Sequence, residues 1–583
     1  MNVDGAAVFV LARELSILEG ARIDKIHQPA KNDLLFSLRA KSGNVKLLLS
    51  AAAQSCRAHI TEYPLENPAE PPMFCMLLRK RLSGGRVVSI TQPDMERILV
   101  IEIDAANELG DILRYRLIIE MMGRHSNIIL TSPDGVIIDS ARRVPEHVSR
   151  VRQVLPGLEY IAPPKGGKLP PSTISHETLL EILSHGTGDA KKALTRSLTG
   201  ISPQSAMEIC VSSLGEADIS IDSLTPPALR RLASGVHMYI EKLKNPNPVI
   251  IMNAGSPVGF FPYKYASIFG EAVEYPTMSA ALDAYFHIKT QLERRNQAAT
   301  ALRRVISSNL ERCYKKMDIQ RQAVAFADEA QKFKKYGELI AANAYALQKG
   351  IPFARVMDYT EETYPQIEIP LDSSLTPMQN SQRYYKKYNK ARAARVQAEA
   401  QLELSRAETQ WLESQDAFVE SATTLEDLEL IRLELIKEGY IKPQHKKGAK
   451  KRATQSESQP YRFISSDGIE ILAGRNNTQN DRLTLRTAAP NDIWLHAKDI
   501  PGSHVIIRSS SPPDTTINEA AIIAAYYSRG RASTGVSVDI APVKNIKKPS
   551  GARPGMVIYT GQRTVYVRPD EDVINSLKTV DNT

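Results

Sequence analysis

A multidomain α+β protein is predicted by three features of this sequence. The first 165 residues alternate short apolar runs with few helical patterns. Two long helical segments then flank a short strand-and-turn region, and no proline interrupts either. After a basic stretch, the pattern returns to strands and turns with one helix. At 583 residues the chain is also too long for one core, so three or more domains are expected.

Residues 1–165 form the first domain, whose pattern admits α/β or α+β. Val8, Leu11, Leu15 and Leu18 recur at helical spacing. Strands are expected at DLLFSLRA, NVKLLLSA, RILVIEID, YRLIIEMM and SNIILTS, then VIIDSA after the turn Pro133-Asp134-Gly135. A second helix is expected from Met73 to Leu82, and PPKGGKLPPST, from Pro163, is a linker by composition. Residues 172–277 hold short helical pieces and a connector. Two pieces flank LTGISPQSAMEIC, where Gly200 and Pro203 mark a tight turn. This fits a helix-hairpin-helix unit, whose turn amides can meet a phosphate, and equally an αα-corner.

Residues 278–440 are expected to form an antiparallel coiled-coil hairpin with a compact tip. Ala299, Leu302, Ile306, Leu310, Cys313 and Met317 step by three or four with charges between them. The returning helix carries Tyr384, Tyr388, Leu425, Leu428, Ile431 and Leu435, and ARVMDYTEETYPQIEIPLD between the helices reads as strand and turn. About 60 helical residues would reach roughly 90 Å. Residues 441–460 read as a basic linker, with six Lys or Arg and no acid in KPQHKKGAKKR. Residues 461–575 read as a small α+β domain with a helix near 517–528.

The net charge of +9 favours polyanion partners, although 65 acids require any basic surface to be patchy. Four scattered cysteines form no CxxC pair, which argues against a disulfide framework and a zinc finger and fits a reducing compartment. The N-terminal stretch has Asp4 and Glu14 and no basic region, so no signal peptide is expected. No apolar run approaches the roughly 20 residues of a membrane span. The expected location is cytoplasmic.

Chemistry-bearing residues concentrate in DIWLHAKDIPGSHVIIRS. His496 and His504 flank a Pro-Gly turn, yet no cysteine lies near them, so a metal site is poorly supplied with ligands. Ser503 and His504 are adjacent and would point to opposite faces of a strand, which argues against a hydrolase. A phosphate-gripping surface fits better: Arg475, Asn476, Asn477, Asn480, Trp494, His496, Lys498, His504 and Arg508 supply cations, amides and an aromatic. Lys544, Lys547, Lys548 and Arg553 add charge, and they also fit a solvated loop. In EMMGRHSNIIL, Arg124 and His125 could contact phosphate, while Asn127 could cap the turn. Glu96-Arg97, before ILVIEI, fits an ordinary surface ion pair when read alone.

Several of these blocks resemble the NFACT proteins, the RqcH/NEMF family also labelled fibronectin-binding protein A. GARIDKIHQP, EMMGRHSNI and LPGLEY resemble its N-terminal domain, and LDSSLTPMQNSQRYYKKYNK resembles the entry to its second coiled-coil helix. AGRNNTQNDRLTLR, DIWLHAKDIPGSHVII and VKNIKKPSGARPGMVIYT resemble its RNA-binding domain. The resemblance implies a ribosome quality-control factor that binds large ribosomal subunits carrying a stalled peptidyl-tRNA. It would recruit alanyl-tRNA so that the subunit adds an alanine tail marking the chain for degradation. Peptide bonds would be made by the ribosome, so no catalytic residue, cofactor or metal is expected. Glu96 and Arg97 match the family's tRNA-engaging Asp-Arg pair, with a carboxylate one methylene longer. The coiled coil would reach the base of the ribosomal stalk, engaging rRNA and a stalk-base protein. Three rivals remain: a ribosome-binding scaffold without tailing, a surface fibronectin-binding adhesin, and a DNA glycosylase. The last uses a proline amine just after the initiator methionine, where this chain has Asn2.

Overall fold

The computed structural model describes residues 3–253, 255–443 and 459–577, so most of the basic linker expected at 441–460 lies outside the described residues. The chain divides into two compact units, Met1–Leu292 and Glu293–Thr583.

The first unit begins with α1 (Gly5–Leu15), whose N-cap Asp4 accepts the Ala7 amide at 2.9 Å. Its Val8, Leu11 and Leu15 are buried, as their spacing predicts. The strands β1 (Arg22–Ala30), β2 (Asp33–Ala40), β3 (Gly43–Ser50) and β4 (Arg57–Ile60) precede α2 (Met73–Leu82). After it come β5 (Arg86–Thr91), β6 (Ile98–Ala106), β7 (Ile112–Glu120), β8 (Asn127–Thr131) and β9 (Ile137–Ser140). They form one nine-stranded sheet, ordered β4-β3-β2-β1-β5-β6-β7-β8-β9. Neighbours pair antiparallel, which places this domain on the α+β side of the two alternatives. β1 was not legible as a strand because register shifts at Ile23/Lys25 and His27/Ala30 break its alternation.

The helices α3 (His176–Ser184), α4 (Ala190–Ser197), α5 (Pro203–Leu214) and α6 (Pro226–Lys244) follow. Ser202 caps α5 by accepting the Ser205 amide at 3.1 Å, with proline at the first helical position. The strands β10 (Val249–Asn253), β11 (Ser256–Phe261) and β12 (Glu271–Glu274) form a small sheet ordered β11-β10-β12.

The long helices are α7 (Met278–Glu329), α8 (Gln331–Ala342), α9 (Pro377–Ser421) and α10 (Leu425–Lys437). The hairpin pairing in the second unit is antiparallel: Arg295 donates to the Ala422 carbonyl, Arg312 pairs with Glu408, Arg395 pairs with Asp328, and Ser381 donates to the Gly337 carbonyl. Positions thus rise on one strand of the hairpin as they fall on the other. The helices expected to be continuous each break once, after Glu329 and at Ala422–Thr424, where Thr424 starts a capping box with Asp427. No proline marks either break, which is why the sequence pattern read through them. The 45 residues of α9 span about 68 Å. The tip is a two-stranded ribbon of β13 (Phe353–Met357) and β14 (Gln366–Pro370).

The C-terminal domain contains β15 (Tyr461–Ile464), β16 (Glu470–Ala473), α11 (Asn477–Arg482), β17 (Ile493–Ala497), β18 (Val505–Ile507) and α12 (Asp514–Tyr526). It closes with β19 (Val536–Pro542), β20 (Ile546–Lys547), β21 (Ile558–Tyr559), β22 (Arg563–Val567) and α13 (Glu571–Leu577). Six strands form a sheet ordered β15-β16-β18-β17-β19-β22, and α12 packs on it through Ile517, Ala520, Ala521 and Ala524.

Candidate nucleic-acid interface

Glu96 and Arg97 end the loop between β5 and β6, and its backbone is strained. Asp94 and Met95 both adopt positive φ, 48° and 57°. Aspartate tolerates that region, whereas for methionine it costs on the order of 1–3 kcal/mol. The surroundings enforce it. Thr199 Oγ1 donates to the Asp94 carbonyl at 2.6 Å, and Gln92 Nε2 donates to the Glu96 and Gly5 carbonyls, each at 2.8 Å. Gly5 donates to the Gly200 carbonyl at 3.1 Å, and Lys165 pairs with Asp94. Gly200 has φ +70°, and a Cβ there would lie 2.1 Å from the Met95 carbonyl oxygen. The turn of LTGISP is therefore used to hold this loop. Arg97 is exposed and Glu96 is half-buried, and neither forms an ion pair among the described residues. The surface ion pair suggested by their adjacency is not made.

Arg124 and His125 share the same end of the sheet. The Met121 amide donates to the Arg97 carbonyl at 2.8 Å, and Ile98 pairs with Glu120 across β6 and β7. A short 3-10 turn, Gly123–His125, then exposes both side chains, with Arg124 Nε 3.0 Å from His125 Nε2. Arg142 donates to the Arg124 carbonyl and braces the turn. Asn127 is buried and takes the structural role: its Oδ1 accepts the Arg142 amide at 3.0 Å. Glu120, 1% exposed, receives Arg152 at 2.5 Å and the Tyr160 hydroxyl at 2.9 Å. That network accounts for the tyrosine of LPGLEY. Asp94, Arg142, Arg152 and Thr199 were not anticipated, since nothing local marks them.

The C-terminal candidates divide sharply. Trp494 is fully buried, with His496 stacked on it and His504 edge-on, so it offers no open face to a base. Asn476 caps α11, accepting the Gln479 amide at 2.8 Å. Asn477 donates to Ser414 on α9 at 2.6 Å, and Asn480 accepts the His504 amide at 3.0 Å. Arg475 is paired with Asp427 of α10 at 2.6 Å and lies 4.8 Å from the centre of the Tyr461 ring. Arg475 and Asn477 of AGRNN therefore fasten this domain to the foot of the hairpin, and Asn476 caps a helix within it, a correction to their expected exposure. Lys548 pairs with Asp481, and Arg508 donates to the Thr487 carbonyl at 2.7 Å. Arg553 donates to the Tyr440 hydroxyl at 2.8 Å. Lys498, Lys544 and Lys547 remain exposed, with no ion pair among the described residues. A cavity of about 450 Å³ is bordered by Trp411, Trp494, His496, Asp499 and His504.

The two histidines add no cation at neutral pH. Burial pushes His496 down to about 4 and holds His504 well below its ordinary range. An unfolded histidine titrates near 6.5. Between pH 6.5 and about 4 the unfolded chain takes up a proton that the fold refuses. The contribution to stability is complete above pH 6.5 and lost as pH falls toward 4, on the order of 3 kcal/mol for His496. Melting followed by tryptophan fluorescence should show this loss, because both tryptophans, Trp411 and Trp494, lie in the second unit. His496→Gln should flatten the slope in that window.

Among the described residues, no group of three or more His, Cys, Asp or Glu is placed to hold a metal ion, and no helix is long and apolar enough to cross a membrane. An antiparallel N-terminal sheet, a helical hairpin and a C-terminal sheet fastened to its foot define the class, and family profiles give it a name. The profile of the NFACT N-terminal and middle domains matches residues 4–454, and that of the NFACT protein RNA binding domain matches residues 459–566. The chain is 39% identical over 584 residues to the Rqc2 homolog RqcH of Bacillus subtilis strain 168, covering 99% of this chain and all of that one. It is 36% identical to the Rqc2 homolog RqcH of Streptococcus suis, again over 99% of this chain and all of the relative. A 154-residue stretch, 26% of this chain and 14% of the relative, is 30% identical to ribosome quality control complex subunit 2 of Saccharomyces cerevisiae. The chain belongs to the RqcH family of NFACT proteins.

Proposed function

We propose that this protein acts in ribosome quality control: it binds large ribosomal subunits carrying a stalled peptidyl-tRNA and recruits alanyl-tRNA, so that an alanine tail is added to the nascent chain. Arg97 carries the reading. It is an exposed cation, with no ion pair among the described residues, on a loop whose strained backbone is fixed from Gly5, Thr199 and Gly200. The held backbone suits tRNA binding, because only side-chain freedom is left to lose there. Arg124 and His125 lie beside it and extend the polar surface. Lys498, Lys544 and Lys547 supply cations for rRNA in the C-terminal domain. The hairpin supplies reach toward the stalk base and its protein. The ribosome makes the peptide bonds, and this chain positions the tRNA.

Glu96, where the family's pair has aspartate, favours a second reading: a ribosome-binding scaffold without tailing. Sequencing the RNA that co-purifies with the protein under mild salt separates the two. Large-subunit rRNA with enriched alanine tRNA is expected. Large-subunit rRNA without a tRNA preference would leave the scaffold, and absence of ribosomal RNA would overturn both.

A further inference from the structure

A second cationic feature of the first unit lies away from Glu96 and Arg97. A cavity of about 340 Å³ opens between α6, the last turn of α5 and Tyr263. Arg230, Arg231 and Lys242 line it, and no carboxylate does. All three cations are exposed, and none forms an ion pair or hydrogen bond among the described residues. Arg231, Gly235 and Lys242 are spaced by four and seven along α6, so they share one helix face. Gly235 lets α5 approach closely: a Cβ there would sit 1.8 Å from Ser213 Oγ. That hydroxyl is buried in the wall and has no hydrogen-bond partner among the described residues. Lys242 Nζ lies 5.2 Å from the centre of the Tyr263 ring. Burial, with a smaller contribution from Glu208, pushes the Tyr263 hydroxyl well up, so it stays a donor at neutral pH. Glu208 is itself buried and accepts the Ser267 amide at 3.0 Å.

We propose that this cavity binds a phosphate group, and that the group belongs to an RNA backbone. The lining is rich in donors and cations, the chemistry that selects a phosphate over a neutral or cationic ligand. Three cations without an ion pair among the described residues, on a chain with 65 acids, are a local excess that an external anion would neutralise. An RNA source fits the open, surface position of both arginines, and this assignment rests on the proposed RNA-binding function.

The test compares the full chain with Arg230→Gln/Arg231→Gln, using a tRNA transcript as probe across a salt series. Lys31→Gln/Lys41→Gln removes the same charge outside the cavity and serves as control. Both arginines are exposed, so unchanged melting of the variant is expected. Affinity for tRNA should fall about tenfold in the cavity variant, and the slope of log K against log salt should become shallower by about 1. The control should stay within about twofold of the parent. Equal losses in the two variants would reduce the effect to net charge and overturn the site. Phosphorus NMR with inorganic phosphate is the second arm. Phosphate bound by the parent and not by the variant, with tRNA affinity unchanged, would overturn the RNA source in favour of free phosphate. No change in either arm would overturn the cavity alone while tRNA binding by the parent stands. A parent that binds no tRNA would overturn the proposed function first, and this site with it.

Discussion

Arg97→Glu is expected to abolish alanine tailing while leaving large-subunit association within about twofold. Arg97 is exposed and forms no ion pair among the described residues, so reversing its charge breaks no ion pair described there. A charge-assisted contact to tRNA contributes about 1.5–3 kcal/mol, and a carboxylate in its place adds repulsion. Capture of tRNA should weaken at least about tenfold, and about 100-fold toward the upper end of that range. Tails on a stalled reporter chain, and sedimentation of the protein with large subunits, are read from the same cells. Loss of tailing with retained sedimentation supports the role. Loss of both would make Arg97 a structural residue. Glu96→Asp shortens the neighbouring carboxylate by one methylene, and unchanged tailing in that variant would show that the longer side chain serves equally well.

Asp427→Ala is expected to have the largest effect on stability. This carboxylate is 2% exposed and has several duties at once. It accepts the Thr424 amide at 3.1 Å in the capping box of α10, pairs with Arg475 at 2.6 Å and receives the Tyr461 hydroxyl at 3.1 Å. Removing it takes the Asp427 carboxylate from a largely buried guanidinium, at about 3–5 kcal/mol, and the lost cap adds about 1 kcal/mol. The double variant Asp427→Leu/Arg475→Met should recover much of the loss, because no charge is then stranded. Chemical denaturation followed by tryptophan fluorescence measures both. A loss under about 1 kcal/mol in the single variant would mean that water screens the pair.

Periodicity exposed the long elements. The antiparallel strands around Ile98–Ala106 and Ile112–Glu120, the hairpin helices and the buried face of α12 all follow apolar spacing that needs no partner to be recognised. Three kinds of feature stayed hidden. β1 is bulged, so its alternation is broken. The helix breaks near Ala330 and Ala422 carry no proline or glycine: the second is made by the Thr424 capping box, and the first has no side-chain cap at all. The burial of Trp494, Asn477 and His504 is a tertiary outcome, because a block rich in amides and histidines reads the same whether it faces RNA or fastens one element to another. Arg97 is the converse case. Its adjacency to Glu96 suggests an ion pair, and only the folded loop shows that this pair is not made. The strain at Met95 depends on Thr199 and Gly200, more than 100 positions away, and no local pattern could announce it.

The docking of AGRNN on the hairpin foot bears on how the gene could be divided. Ser414, Asp427 and Glu434 stand before residue 443, and their partners Asn477, Arg475 and Thr478 stand after residue 459. Side chains on both sides make this joint. Two polypeptides separated within 444–458 would keep these three contacts between them, and their co-purification is the expected result.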